Sequence, residues 1–124
     1  MSIEAGYAKA QELEIQGKHG EASSLYKEII KQSQDARVFI AYGACLQHLG
    51  HWQESAKQLM RGIDLKPHYC EGDARLMLAE ALLRLGLKGR AIEQWRLVAA
   101  MEPTYPSYDA VPNEALKKLR EHGS

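Results

Sequence analysis

The sequence predicts an all-α fold, an α-solenoid of three antiparallel helix–turn–helix repeats with a C-terminal capping helix. Three observations lead there. The chain repeats itself, apolar residues within each copy recur at helical spacing, and glycines and prolines interrupt the pattern at matching places. The segments Val38–Pro67 and Ala74–Pro103 superpose without a gap, so that Leu46 pairs with Leu82, Gly50 with Gly86, Ser55 with Ala91, Leu59 with Trp95 and Pro67 with Pro103, each 36 residues apart. An upstream copy follows at an offset of 33, pairing Leu13 with Leu46, Gly17 with Gly50, Ala22 with Ser55 and Tyr26 with Leu59.

Each copy resolves into two helices. Phe39, Tyr42, Gly43, Leu46 and Leu49 fall at intervals of three and four, which places them on one helical face. Gly17, Gly50 and Gly86 then stop the first helix, where a residue free to take positive φ is favoured. A second run follows, with Ser55, Leu59 and Ile63 in one copy and Ala91, Trp95 and Val98 in another. Pro67 and Pro103 end it, because proline cannot continue a helix and disfavours helix in the residue before it. Small residues mark where helices approach: Ala10, Gly43 and Ala79 on first helices, Ala22, Ser55 and Ala91 on second ones. These limits predict a single domain over 1–124, with repeats at about 3–35, 36–69 and 72–104 and a capping helix at about 111–121. Residues 67–72 are expected as a lengthened loop before the third repeat. The final helix opens with Pro112 and ends in basic residues, both suited to their helix ends, and its apolar side is Val111, Ala115, Leu116 and Leu119. Its alternative role is to reach into a partner molecule.

The pattern resembles the tetratricopeptide repeat, whose signature is W-x2-L-G-x2-Y, A-x3-F and P within about 34 residues. The second unit offers Phe39-x2-Tyr42-Gly43-x2-Leu46, Ser55-x3-Leu59 and Pro67; the third offers Arg75-x2-Leu78-Ala79-x2-Leu82, Ala91-x3-Trp95 and Pro103. The first is weaker, with Ala10-x2-Leu13 and Ala22-x3-Tyr26 but Lys9 where an apolar residue is usual, as suits an end repeat whose outer face meets water. The resemblance covers about residues 3–103 and is specific for fold and weak for function. It implies a protein–protein interaction module acting as adaptor, assembly factor or chaperone. The family includes a branch of three-repeat chaperones serving secretion systems, and no residue motif assigns the chain to it. The alternative is a structural repeat protein that self-associates, with Tyr105, Tyr108 and the last helix as contact surface.

Composition removes other classes. Sixteen basic and sixteen acidic side chains give zero formal net charge, so nucleic acid is not an expected partner. No apolar run approaches the ~20 residues that span a bilayer. The N-terminal Met-Ser-Ile-Glu-Ala lacks a basic region and apolar core, so a cytoplasmic location is expected. Cys45 and Cys70 are too few for a disulfide scaffold and are expected as reduced thiols, Cys45 behaving as a small core residue. No nucleophile motif or phosphate-cradling glycine loop is present, and no enzyme activity is expected. Nor is a metal or other cofactor. His48 and His51 straddle the turn at Gly50, and His68 with Cys70 lacks a second pair. The histidines read as solvated turn residues.

The resemblance implies a concave surface lined by the first helix of each repeat. Counting residues turned away from the intra-repeat core gives Glu4, Tyr7, Gln11 and Glu14, then Arg37, Ile40, Ala44 and Gln47, then Asp73, Leu76, Glu80 and Leu83. One branch of the family clamps the acidic tails of heat-shock chaperones with Lys, Asn and Arg; the matching positions here are Tyr7, Gln11, Ala41, Asp73 and Met77, so such a tail is not expected to bind. Ile40, Leu76, Leu83 and Tyr7, edged by Glu4, Glu14, Asp73 and Glu80 against Arg37, suit a peptide or helix with apolar anchors and some positive charge; the alternative is that Leu76 and Leu83 simply pack on the neighbouring repeat.

Overall fold

Seven helices account for the secondary structure of the computed structural model, which describes residues 2–67, 70–103 and 109–123; no strand occurs among them. They are α1 (Ile3–Ile15), α2 (His19–Ile29), α3 (Ala36–His48), α4 (Trp52–Asp64), α5 (Glu71–Arg84), α6 (Lys88–Ala99) and α7 (Ala110–His122). Helices α1 and α2, α3 and α4, and α5 and α6 pack as hairpins, and each hairpin lies on the next.

The three intra-hairpin turns close identically. Gly17, Gly50 and Gly86 have φ of 77°, 75° and 79°. The amide of the following residue, Lys18, His51 or Leu87, reaches back across the turn to the carbonyl of Leu13, Leu46 or Leu82 at 2.8–2.9 Å. The glycine's own amide takes the carbonyl of Glu14, Gln47 or Leu83 at 2.9–3.0 Å. Two otherwise unpaired carbonyls are thereby satisfied at each helix end, in a conformation that costs a side-chain-bearing residue about 1–2 kcal/mol. Where a hairpin gives way to the next unit, Lys66 takes that conformation itself, at φ 56°, just before Pro67.

The middle hairpin shows why small residues are required. A Cβ on Gly43 would stand 2.6 Å from Leu59 Cγ, so the Leu59 side chain of α4 packs directly on the α3 backbone at that point. Ser55 fills the matching place on α4; its hydroxyl is fully buried and donates to the carbonyl of Gly43 at 2.8 Å. A second close approach lies toward the other end of the pair, where a Cβ on Gly62 would meet Ile40 Cγ1 at 2.8 Å, Phe39 Cβ at 3.2 Å and the Ala36 carbonyl at 3.3 Å. Ala10 and Ala22 in the first hairpin and Ala79 and Ala91 in the third are wholly buried at the equivalent places.

The last helix packs on its own chain, against α6 and α5. Ala115 is buried, Val111 and Leu119 are partly buried against the core of the third hairpin, and the His122 ring stacks on the buried Trp95 with centroids 5.2 Å apart. Two expectations need correction here. Leu116 is exposed rather than part of the apolar side. Glu71 and Gly72 belong to α5 rather than to the preceding loop, and Gly72 leaves room for Val111, whose Cγ1 would stand 2.7 Å from an added Cβ. His68, Tyr69, Tyr105 and Tyr108 lie outside the described residues.

Glycines in tight and open places should respond oppositely. Gly62→Val is expected to lower unfolding free energy by about 2–3 kcal/mol through overpacking against rigid neighbours. Gly89→Ala, where an added Cβ meets nothing within 4 Å, should raise it by about 0.5 kcal/mol through helix propensity. Urea unfolding midpoints of the two variants check both signs.

Candidate functional site

The first helices α1, α3 and α5 are tied to one another through side chains that the sequence pattern turns away from the hairpin cores. Arg37 on α3 is held by Asp35, the N-cap of its own helix, at 2.6 Å, and reaches Glu4 on α1 at 3.3 Å. Its guanidinium also lies 5.5 Å over the Tyr7 ring. On the other side of α3, Gln47 donates to the carbonyl of Met77 on α5 at 2.7 Å. These contacts link α1 to α3 and α3 to α5.

The predicted lining residues divide into three groups. Tyr7, Ala44, Leu76 and Leu83 are half-buried, which leaves apolar atoms on the surface. Glu14, Gln47 and Glu80 are likewise half-buried, and Glu4, Gln11, Arg37 and Asp73 are exposed. Ile40 departs from the expectation. It is 7% exposed and belongs to the core cluster of the second and third hairpins, because Gly62 lets α4 come up against its side chain. Ile40 is therefore a packing residue and not a lining one.

The charge of this surface is also less acidic than counted. Glu4 is matched by Arg37, and Glu80 by Arg84 one helical turn away at 3.0 Å. Such exposed pairs contribute little stability, about 0–1 kcal/mol, but they reduce the net field seen by a ligand. Asp73 has no ion pair among the described residues, and desolvation pushes its carboxyl above the ordinary value.

At the α1 end, Glu14 does more than edge the surface. It accepts a hydrogen bond from Tyr26 at 2.6 Å, and the same hydroxyl accepts from Gln11 at 2.9 Å. Desolvation and the Glu14 carboxylate together push the Tyr26 phenol far above its usual value. Glu14 also faces His19 and Cys45, and one donor atom from each of the three residues lies within 4.8 Å of the others. The sequence reading placed the histidines in solvated turns. The His19 ring instead stacks on His48 with centroids 4.5 Å apart and planes 7° apart, and its Nδ1 is shielded from solvent.

A cysteine beside a histidine invites a catalytic reading, which the electrostatics oppose. Cys45 is fully buried, its thiol donates to the His19 carbonyl at 3.3 Å, and burial followed by the nearby Glu14 carboxylate raises its pKa to about 12. A nucleophilic cysteine needs the opposite shift. The Cys70 thiol is also raised, mainly by burial.

A different surface, which the sequence reading did not consider, lies on the outer side. A cleft of about 890 Å3 between α4 and the α5–α6 turn is lined in part by Trp52, Met60, Leu85 and Leu87. Arg84 covers the Trp52 ring at 5.1 Å.

No family model matches the chain, and no curated protein sequence matches it. Solved structures do. The chain superposes on PcrH in complex with the chaperone binding region of PopD with a TM-score of 0.86 at 23% identity, covering 96% of this chain and 89% of that one. It superposes on the Yersinia enterocolitica type III secretion translocator chaperone SycD bound to a peptide of the translocator YopD with a TM-score of 0.85 at 21% identity, covering 96% and 90%. MamA matches with a TM-score of 0.76 at 19% identity, covering 98% and 71%. The fold is a tetratricopeptide-like helical solenoid. No helix among the described residues is long and apolar enough to cross a membrane.

The Cys45 shift has a consequence for stability. The unfolded thiol ionises near 9, while the folded one holds its proton to about 12. Its contribution is complete below about pH 9 and is lost as pH rises from there toward 12, because only the unfolded chain gains the charge. Urea unfolding at a series of alkaline pH values should show a decline that is shallower in Cys45→Ala than in the parent.

Proposed function

We propose that the chain is a chaperone-type interaction module that holds a segment of another protein on the surface made by α1, α3 and α5, and that it performs no catalysis. One observation carries the reading. The side chains of Tyr7 on α1, Ala44 on α3 and Leu76 and Leu83 on α5 stay partly exposed on three helices that the Arg37–Glu4 and Gln47–Met77 contacts connect. A preformed, partly apolar face with a polar rim suits a bound peptide, since little ordering entropy is then lost on the receptor side. The similarity to chaperones solved with the chaperone binding region of PopD and with a YopD peptide supports the same role and suggests a secretion translocator as the partner class.

The bound segment should present apolar anchors. With Glu4 and Glu80 already matched by arginines and Glu14 hydrogen-bonded by Tyr26, the remaining demand for positive charge falls near Asp73 and Glu14 and is modest. Affinity should therefore depend weakly on salt.

A second reading, self-association, is favoured by the outer cleft, where Met60, Leu85 and Leu87 are more than a third exposed. A SycD structure described as an alternative dimer supports the idea that this fold can pair with itself. Light scattering on the purified chain tests it: a dimer that Leu85→Glu converts to monomer establishes the outer cleft as the contact.

The leading reading is tested by co-purification from the native host with mass-spectrometric identification of the partner, followed by calorimetry with the captured segment. Leu76→Asp with Leu83→Asp should weaken binding at least tenfold while the helical circular dichroism is kept. Leu97→Asp, an exposed apolar position on α6, should leave binding unchanged. Equal affinity of the parent and the Leu76/Leu83 variant removes this surface from consideration.

A further inference from the structure

We propose that Glu14, His19 and Cys45 form a binding site for a single zinc ion at the joint between the first hairpin and α3. The three residues come from the end of α1, the start of α2 and the last turn of α3, and their donor atoms lie within 4.8 Å of one another. His19 supplies the observation that points to a ligand. Its Nδ1 is shielded from water yet has no hydrogen-bond partner, and Glu14 Oε1 stands 3.7 Å from it, too far for a hydrogen bond. A buried nitrogen left in this state is costly unless something sits between it and the carboxylate.

The spacing suits a metal. Two ligands at zinc distances of about 2.0–2.3 Å in tetrahedral geometry stand about 3.5 Å apart, close to the 3.7 Å already present between His19 and Glu14. The remaining contraction, at most about 1.3 Å from the 4.8 Å limit, is available because the His19 and Glu14 side chains lie at the solvent edge, 27% and 19% exposed, while Cys45 is fixed in the core. One imidazole, one thiol and one carboxylate make a borderline set that favours zinc over calcium or magnesium, which prefer oxygen donors.

The surroundings fit as well. Glu14 would bind through Oε1, and its Oε2 already accepts the Tyr26 hydroxyl, which Gln11 in turn supports. A hydrogen-bonded ligating carboxylate of this kind is the usual outer-shell arrangement. The stacked His48 ring lies parallel to His19, so its nitrogens do not aim into the cluster and the fourth position falls to water. On binding, the Cys45 sulfur exchanges its proton, which leaves to solvent, for the bond to zinc. The ion would clip α1 and α2 to α3 at the end of the surface that Glu14 and Gln11 edge. This inference stands independently of the partner-binding reading.

The test uses the full reduced chain, stripped with a chelator and titrated with cobalt(II) as a spectroscopic stand-in for zinc. One equivalent should produce a thiolate-to-cobalt charge-transfer band and intense tetrahedral visible bands, both displaced by zinc. Cys70→Ser should retain them and Cys45→Ala should lose the charge-transfer band. His19→Gln and Glu14→Gln, at the solvent edge, should bind at least about tenfold more weakly with unchanged circular dichroism, which carries the test if Cys45→Ala fails to fold. Absence of the charge-transfer band in the folded parent, its persistence in Cys45→Ala, or parental affinity in His19→Gln would overturn the proposal.

Discussion

The close contact between α3 and α4 is the constraint on which the rest of the structure depends. Two helices separated by ordinary side chains pack with axes about 8–10 Å apart, and the smaller distances in that range need residues without bulk at the crossing. Here Gly43 meets Leu59 directly, Ser55 satisfies its buried hydroxyl on the Gly43 carbonyl, and Gly62 admits Ile40 and Phe39. The first hairpin packs on one side of this pair and the third on the other. Because a solenoid has only neighbour contacts, a shift in the middle pair would move both flanking hairpins. The side-by-side placement of α1, α3 and α5, and with it the apolar surface they share, follows from that contact.

Much of this was legible in the sequence for physical reasons that act locally. A helix that must stop within one residue needs positive φ, and glycine at 17, 50 and 86 announces it. Close approach needs Ala or Gly, and their recurrence at matching offsets marks where it happens. Trp95, buried and roofed by His122, follows from its place in the repeat. What failed were inferences that depend on how near another element comes. Ile40 falls on the turned-away side by counting, yet Gly62 draws α4 over it. Gly72 reads as a loop residue, and it is the absence of its side chain that admits Val111 of α7.

The Glu14–His19–Cys45 group shows the same limit more sharply. Metal motifs are recognised by pairs a few residues apart, and none of these three stands in such a pair with a second ligand pair beyond it. The repeat fold assembles them by bringing a turn between two helices against the helix of the next unit. The histidine that counting assigned to solvent thus has a buried nitrogen and a stacked neighbour. Charge was misread for a related reason: Arg84 belongs to the same helix as Glu80 and neutralises it, which a list of lining residues alone does not reveal.

The proposed function joins a rigid frame to a partly apolar face whose chemistry is set by Tyr7, Leu76 and Leu83. Its central claim is that binding takes place on α1, α3 and α5. Hydrogen exchange of the chain, alone and saturated with its captured partner segment, tests that claim directly. Amide protection should rise along α1, α3 and α5 and stay unchanged in α4 and α6. A rise confined to α4, α6 and the turn at Gly86 would contradict it and place the partner in the outer cleft.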